Sequence, residues 1–247
     1  GASALIMPIA LSGIGRRDAV VALAVVAHPD DLEYGAASAV ARWTAQGKQV
    51  RYLMVSRREA GIDSMSPEET GPLHEEEERT SARLVGGDTV EFLDYQDGVI
   101  EYGLPLRRDI ARAIRRHRPN MLVTLNFQLT FGGPELNMAD HRWVGLAVLD
   151  AARDAANRWI FPELLREGLQ PWGGVKTVCI FGSPQADHAV DVTDYLDKGI
   201  ASLRAHKAYI ENLSGDFDPE AFLRNSASAT GNRFGCSYAV GFEVMKI

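Results

Sequence analysis

Short apolar runs alternate along this chain with longer segments in which apolar residues recur at a helical period. Residues 20–27 (VVALAVVA) are apolar at every position and rich in β-branched residues, which is typical of a strand buried on both faces of a sheet. Repeated alternation of this kind predicts stacked βαβ units. We therefore predict an α/β fold, a three-layer sandwich with a mostly parallel sheet.

The pattern predicts five strands and five helices. The strands are expected at residues 20–27, 50–55, 90–93, 121–125 and 175–181, and the helices at residues 32–46, 74–85, 104–117, 140–158 and 193–211. Thr193 or Asp194 is the expected N-cap of the last helix. A long loop is expected over residues 57–72. We predict one domain with a core of about residues 20–210 and a loop-rich C-terminal segment over residues 211–247.

Composition narrows the classes of partner. A chain of 247 residues, 46% hydrophobic, can bury a core without disulfides, so its two cysteines are expected to be reduced thiols. The net charge of −7 argues against nucleic acid or an anionic membrane. A small-molecule partner fits better, and the oligomeric state, including a homo-oligomer, is left open. The acidic run Glu75–Glu78 is typical of a solvated helix face.

No stretch of the sequence reaches the roughly 20 apolar residues of a membrane span. The apolar residues 2–14 are followed by Arg16 and Arg17, whereas a secretory signal has its basic residues first. The sequence therefore predicts a cytoplasmic protein.

The residues that follow the first predicted strand are the strongest candidates for chemistry, because ligands bind at the carboxyl ends of parallel strands. Residues 27–33 read AHPDDLE. His and Asp are both zinc ligands, and Pro29 restricts the turn so that His28 and Asp31 could point at one spot. Asp30 is then the candidate general base for a metal-activated water. The alternative is that these residues only cap the following helix.

A second cluster, Asp140-His141-Arg142, follows the strand predicted at residues 121–125 and opens on the same edge of the sheet. His141 could complete a set of three metal ligands with His28 and Asp31. Asp140 could orient a ligand imidazole through its free ring nitrogen. A lone histidine at a helix start is usually an ordinary surface residue, so the case for His141 depends on the first cluster facing it.

The AHPDDLE stretch resembles the AHPDD-x-E motif of the PIG-L or LmbE-like family, which comprises zinc-dependent deacetylases of N-acetylglucosaminyl compounds. Other segments resemble family segments in the same order along the chain. They are SRREAG at residues 56–61, RTSARLVGG at 79–87, FLDYQDG at 92–98, GLQPW at 168–172 and AVDVT at 189–193. The resemblance runs from about residue 20 to residue 209.

The resemblance implies a Rossmann-like fold and a set of site residues. It implies Zn²⁺ bound by His28, Asp31 and His141, with Asp30 as general base and Asp140 as the aspartate of the family's His-Pro-Asp-His motif. It also implies a sugar-binding rim that contains Arg57 or Arg58 and Asp94 or Asp97.

Two departures from the family pattern bear on activity. Residues 138–141 read MADH, so Met138 replaces the first histidine of the motif, which would stabilise the oxyanion or protonate the leaving amine. A thioether can do neither. Either another group, such as His188 or His206, takes this part, or the activity is reduced or redirected. Arg58 replaces a loop glycine, which predicts a substrate of different charge or bulk.

These features predict a zinc-dependent hydrolase that removes an N-acetyl or related N-acyl group from an amino-sugar conjugate. The alternative is a metal-binding homologue that lost catalysis with the motif histidine and acts as a ligand-binding or regulatory protein. A dinucleotide-binding oxidoreductase is disfavoured, because no G-x-G-x-x-G follows the first strand. By ligand type, two histidines and an aspartate suit Fe²⁺ or Co²⁺ as readily as zinc.

Overall fold

The computed structural model of this chain describes residues 20–247. The strands within this range are β1 (Val21–Val26), β2 (Gln49–Met54), β3 (Thr89–Phe92), β4 (Met121–Leu125), β5 (Thr177–Phe181), β6 (His188–Asp191) and β7 (Ala239–Lys246). The helices are α1 (Asp31–Gly35), α2 (Ala37–Ala45), α3 (Pro67–Leu84), α4 (Leu104–His117), α5 (Ala139–Ala156), α6 (Glu163–Arg166), α7 (Leu196–Arg204), α8 (Lys207–Glu211) and α9 (Pro219–Phe234).

The strands form one sheet in the order β3-β2-β1-β4-β5-β7-β6. The first five strands in this order run parallel, and β7 pairs antiparallel with both β5 and β6. Helices α4 and α5 pack on each other and on β1, whereas α2, α3 and α9 pack around α7. The predicted α/β fold with a mostly parallel sheet is confirmed.

The centre of the sheet is buried because its strands are apolar on both faces. Every side chain from Ala22 to Val26 in β1 is inaccessible to solvent, and β4 is buried throughout. Helix α4 covers this region with Leu106, Ile110 and Ile114, which recur at helical spacing while arginines fill the outer face. The apolar pattern thus decides both the strands and the side of each helix that packs.

The chain direction reverses at the centre of the sheet, which positions the site. From β1 the chain moves outward to β2 and β3, and it then returns to add β4 on the other side of β1. The carboxyl ends of β1 and β4 therefore lie side by side at a switch point, where ligands bind in open α/β sheets. The connections that leave these two strands lead into α1 and α5, whose first turns contain Asp31, Asp140 and His141.

Three predicted helices differ from those observed. The helix predicted over residues 32–46 is divided at Ala36 into α1 and α2. Helix α3 begins at Pro67 instead of residue 74. Ser66 and Glu69 form a capping box there, and Pro67 occupies the first helical position. The helix predicted over residues 193–211 is divided into α7 and α8. Neither Thr193 nor Asp194 caps α7, whose N-cap is Tyr195.

The C-terminal segment is ordered into regular elements, so the expectation of a loop-rich segment over residues 211–247 is wrong. Asp218 caps α9 by accepting hydrogen bonds from the N–H groups of Glu220 and Ala221, and α9 ends at Gly235 with a φ of 83°. Strand β7 then inserts between β5 and β6. The Ser, Asn and Gly content of α9 and the glycine inside β7 hid these elements from the pattern.

None of the helices in the described part of the chain is both long and apolar enough to cross a membrane. The prediction drawn from residues 2–14 and the basic pair after them falls outside the described residues.

Asp218→Ala is expected to lower the free energy of unfolding by about 1 kcal/mol, because it leaves two N–H groups at the start of α9 without an acceptor. Urea denaturation of the purified variant measures the change. Asp216→Ala, an exposed acidic position just before the helix, is the matched control and should be neutral. Equal losses in both variants would contradict the capping role.

Candidate functional site

A cavity of about 610 Å³ opens at the carboxyl ends of the central strands. Its inner end is formed by Asp30, Asp31 and His141, with Arg58 and Tyr209 beside them. The cavity continues from there toward α9. Both predicted clusters therefore meet at one concave surface.

His28 lies beneath this inner end and is fully buried. Its Nε2 is 2.9 Å from Oδ2 of Asp140 and 3.1 Å from Oδ1 of Asp97. Carboxylates accept hydrogen bonds, so Nε2 carries the ring proton in the neutral histidine. Nδ1 has no hydrogen-bond partner and lies 3.4 Å from Oδ2 of Asp31. The unpartnered lone pair of His28 is thus directed toward Asp31.

Asp140 is held in place from both sides. Its oxygens accept the backbone N–H groups of Gly98 and Ile100 at 2.7 and 3.1 Å as well as Nε2 of His28. An aspartate bonded in this way fixes the ring orientation and tautomer of its histidine. The structure therefore places Asp140 as a residue that orients His28.

His141 approaches Asp31 from the opposite side. Its Nε2 is 3.1 Å from Oδ1 of Asp31, and its Nδ1 is 3.1 Å from Oδ1 of Asn137. One ligand atom each from His28, Asp31 and His141 lies within 4.8 Å of the others. Asn137, which the sequence analysis missed, orients the ring of His141, as Asp140 orients the ring of His28.

This arrangement fits a divalent metal ion. It offers two imidazole nitrogens and one carboxylate, the donors found in catalytic zinc sites, and an acceptor orients each imidazole. The orphaned Nδ1 of buried His28 lacks a partner that a metal would supply. Although burial acts in the opposite direction, Asp31 and Asp140 hold the pKa of His28 well above its ordinary value. A proton and a metal would therefore compete for this nitrogen.

Asp30 stands beside the ligand set in an unusual conformation. Its φ is 91°, a left-handed value that few residues other than glycine adopt. The backbone N–H of Asp30 donates to Oε2 of Glu78 at 3.0 Å. Its carboxylate is buried, with Oδ2 unpartnered and Oδ1 3.4 Å from Nη1 of Arg58. Burial raises the pKa of Asp30 to about 6, although Arg58 opposes the shift.

The two arginines of the predicted rim point to different places. Arg58 lines the cavity, and its guanidinium lies 4.8 Å from the ring centroid of Tyr209. Arg57 instead contacts Glu75 and, at 2.8 Å, Asp94. The Asp94 side chain is 92% exposed. Arg58 is thus the arginine that a ligand in the cavity would meet.

Asp97 does not lie on an exposed rim. Its carboxylate is largely buried, faces Nε2 of His28 and accepts the backbone N–H of Ala60 at 3.1 Å. The prediction of Asp97 as a sugar-binding residue is therefore corrected, because its oxygens are already engaged beneath the ligand set.

A buried polar cluster supports Asp30 from below. Nε2 of His206 lies 3.3 Å from Oε2 of Glu78 and 3.6 Å from Oε2 of Glu33, and all three residues are almost inaccessible. Although burial acts in the opposite direction, the two carboxylates hold the pKa of His206 well above its ordinary value. Burial and the charge of Glu33 raise the pKa of Glu78 to about 8.

Glu78 belongs to the acidic run that the sequence pattern assigns to a solvated helix face, and that prediction is wrong for it. The packing of α3 against α7 and α8 buries Glu78 completely, while Glu76 in the same run stays exposed. Glu77 is also buried, at 8% exposed, and spacing within a run of four glutamates does not reveal which of them face inward.

Met138, which stands where the family motif has a histidine, lines the cavity and is 39% exposed. Of the two histidines suggested as its replacement, His206 lies in the buried cluster, and His188 lies on β6 against Asp187 at 2.8 Å. Within the described chain, neither is among the residues that line the cavity. The donors beside Asp30 are instead Arg58 and Tyr209.

Comparison with known proteins gives a family and a fold. Residues 23–152, more than half of the chain, match the family described as PIG-L: GlcNAc-PI de-N-acetylase. A diacetylchitobiose deacetylase of Thermococcus kodakarensis is 26% identical over 224 residues, covering 90% of this chain and 81% of that protein.

Two solved structures resemble the fold. The N,N'-diacetylchitobiose deacetylase of Pyrococcus horikoshii, solved with its inhibitor MPG, has a TM-score of 0.82 at 25% identity, covering 92% of this chain and 84% of that one. A 4-carboxy-2-hydroxymuconate hydratase from Pseudomonas putida has a TM-score of 0.73 at 20% identity, covering 92% and 96%. The second likeness shows the fold alone, because a fold can host unrelated chemistries.

Removing one candidate ligand is expected to remove the metal. Protein purified with zinc present should contain about one metal ion per chain, and His141→Ala should contain almost none, because a catalytic site holds its ion with about three protein ligands. Elemental analysis by mass spectrometry measures both. His188→Ala is the control and should retain the metal. Retention of metal in His141→Ala would contradict the assignment.

Proposed function

Since this chain belongs to the PIG-L family of GlcNAc-PI de-N-acetylases, we propose that it is a zinc-dependent hydrolase that removes an N-acetyl or related N-acyl group from an amino-sugar conjugate. The convergence of His28, Asp31 and His141 with the buried carboxylate of Asp30 at one cavity supports this function most directly. The likeness to two diacetylchitobiose deacetylases favours an N-acetylated amino sugar as the substrate class.

Three side chains would hold the ion, namely His28 through Nδ1, Asp31 through its carboxylate and His141 through Nε2. A zinc ion bound there supplies Lewis acidity toward an amide carbonyl and lowers the pKa of water. Asp140 and Asn137 keep the two imidazoles oriented so that their lone pairs face the site.

Asp30 would act as the general base. With a pKa of about 6, its carboxylate is mostly ionised at neutral pH yet basic enough to accept a proton from an attacking water. The unpartnered Oδ2 is the atom free to do so. The guanidinium of Arg58, near Oδ1, stabilises the negative charge of the buried Asp30 carboxylate.

The same carboxyl would return its proton to the leaving amine. In the family motif a histidine could protonate the leaving amine, but Met138, which stands in its place, has no proton to give. Once protonated, Asp30 is a neutral acid beside the scissile bond, and it can donate that proton as the C–N bond breaks. Arg58 and Tyr209 are the neighbouring donors for charge that develops on the substrate.

Asp30→Asn tests the base. Asparagine tolerates a positive φ, so the variant should fold and keep its metal while kcat falls by about 100-fold to 10,000-fold, the usual contribution of general acid–base catalysis. Release of free amine from N-acetylglucosamine and N,N'-diacetylchitobiose measures turnover. Unchanged kcat in a metal-loaded variant would remove Asp30 from the mechanism.

A second prediction concerns Glu78, which accepts the backbone N–H of Asp30. Glu78→Ala should lower the free energy of unfolding by about 1–3 kcal/mol, because it leaves the buried N–H of Asp30 without an acceptor, and kcat should fall with it. Glu78→Gln keeps an acceptor oxygen and should recover most of the lost activity.

Urea denaturation and steady-state kinetics measure these effects, and Glu76→Ala, in the exposed part of the same run, is the control. A Glu78→Ala enzyme with normal kcat would show that Asp30 does not need this support.

Met138 at the cavity favours a second candidate function, a metal-binding protein that binds an amino-sugar ligand without hydrolysing it. In that case, N-acetylated sugars would raise the melting temperature of the metal-loaded protein while no amine was released.

A further inference from the structure

A cluster of buried charged side chains lies beneath the cavity, apart from the candidate metal ligands described above. It is here called the lower cluster and consists of Glu33 from α1, Glu78 from α3 and His206, the N-cap of α8. Each of these residues is at most 1% exposed. One ligand atom from each lies within 4.8 Å of the others. Three elements that are distant in the sequence therefore direct polar side chains to one point.

Each member of the lower cluster has a polar atom without a hydrogen-bond partner. These atoms are Oε2 of Glu33, Oε1 of Glu78 and Nε2 of His206. The second oxygen of each carboxylate is engaged, since Oε1 of Glu33 accepts from the hydroxyl of Ser81 at 2.7 Å and Oε2 of Glu78 accepts the N–H of Asp30 at 3.0 Å. Buried polar groups are rarely unpaired in folded proteins, so three unpartnered atoms in one cluster indicate a ligand.

The charge of the lower cluster is also unbalanced. Within residues 20–247, His206 is the only cationic side chain within 4.0 Å of the carboxylates of Glu33 and Glu78. A protonated His206 would still leave one negative charge, and burial of a charge without a partner is costly. A buried water could serve the unpartnered atoms but would add no positive charge. A divalent cation would do both.

The distances in the lower cluster fit ligands of a single metal ion. Zinc lies about 2.0–2.2 Å from its nitrogen and carboxylate ligands in a tetrahedral site, so two of its ligand atoms are about 3.4 Å apart. Nε2 of His206 lies 3.3 Å from Oε2 of Glu78 and 3.6 Å from Oε2 of Glu33. Two carboxylates and an imidazole suit Zn²⁺, and by ligand type also Mn²⁺ and Fe²⁺.

The cavity gives a route to the lower cluster. Glu33 is among the residues that line the cavity. Helix α8, which begins directly after His206, also contributes Tyr209 to the cavity wall. An ion would therefore enter through the part of the wall that α1 and α8 form.

We propose that the lower cluster is a second metal site, in which Glu33, Glu78 and His206 bind a divalent transition-metal ion that joins α1, α3 and the start of α8 beneath Asp30. The role of this ion is structural, because its ligands are enclosed by protein. The proposal does not depend on hydrolysis at the site of His141.

The second ion is expected to bind more weakly than the first. It must enter an enclosed position and displace a proton from His206, whose pKa the two carboxylates raise against the opposing effect of burial. Protein purified in zinc is therefore expected to keep the first ion, and the second site is expected to fill when free zinc is raised.

Metal content at raised free zinc tests the proposal. Purified protein is dialysed against a series of free zinc concentrations, and bound zinc is measured by mass spectrometry. The wild-type protein should approach about two ions per chain, whereas His206→Gln should stop at about one, since it keeps only the first site. His141→Ala should also reach about one, through the second site. His188→Gln, an imidazole outside the cluster, is the control and should match the wild type.

Thermal unfolding provides a second readout, because an ion that joins three elements stabilises the folded state. At free zinc about one hundred times the dissociation constant of the second site, the melting temperature of the wild type should rise by about 5 °C above that of the protein with one ion. His206→Gln and Glu33→Gln should show no such rise. Glu76→Gln, an exposed glutamate on α3, is the control and should show it.

Two results would overturn the second site. One is a wild-type protein that stays at one ion per chain at every zinc concentration. The other is a second ion that both His206→Gln and Glu33→Gln retain, which would be a surface ion. Two ions without any amide hydrolysis would retain the second site and reject the proposed function. Hydrolysis by a protein that never exceeds one ion would do the reverse.

A measurement on the wild-type protein alone covers the case in which a variant of these buried residues fails to fold. Crystals soaked in zinc and measured at the zinc absorption edge should show an anomalous peak between Glu33, Glu78 and His206. A peak at the first site without one in the lower cluster would overturn the proposal.

Discussion

The buried hydrogen bond between Nε2 of His28 and Asp140 joins the two halves of the site. His28 leaves β1 and Asp140 begins the helix that follows β4, so the 2.9 Å contact ties together the strand ends at the switch point of the sheet. Because Nε2 carries the ring proton of the neutral histidine in this bond, the lone pair of Nδ1 is left without a partner on the side of Asp31. The ligand geometry of the whole site therefore depends on a contact that no solvent reaches.

A second buried layer sustains the reactive carboxylate. Asp30 adopts a left-handed backbone conformation, which is costly for a residue with a Cβ, and its N–H is directed at Glu78. Glu78 in turn lies against His206, and Glu33 and Glu78 raise the pKa of this histidine against the opposing effect of burial. The break between α7 and α8 is what brings His206 into this layer. The break between the two helices thus places an imidazole beside Glu78, the residue that accepts the backbone N–H of Asp30.

The C-terminal elements change the shape of the site more than its chemistry. His28, Asp31 and His141 all precede residue 142, whereas α9 and β7 contribute an apolar wall and extend the sheet. In α/β proteins the reactive groups commonly lie at the ends of the strands, while the surrounding elements shape the cavity and so influence which ligand binds. Met138 and Arg58, the two departures in the motifs, line the same cavity, with Arg58 beside Asp30.

The sequence by itself determined the α/β class, the central strands and the residues that meet as candidate ligands, because apolar periodicity and short motifs act locally along the chain. It did not determine α9, whose Ser and Asn content does not indicate a helix, or β7, whose pattern a glycine interrupts; packing stabilises both elements. Nor could it distinguish buried Glu78 from exposed Glu76 in the same acidic run, or Asp97 beneath the site from Asp94 at the surface. Burial of a polar side chain depends on partners that come from distant parts of the chain, and only the tertiary structure brings those partners together.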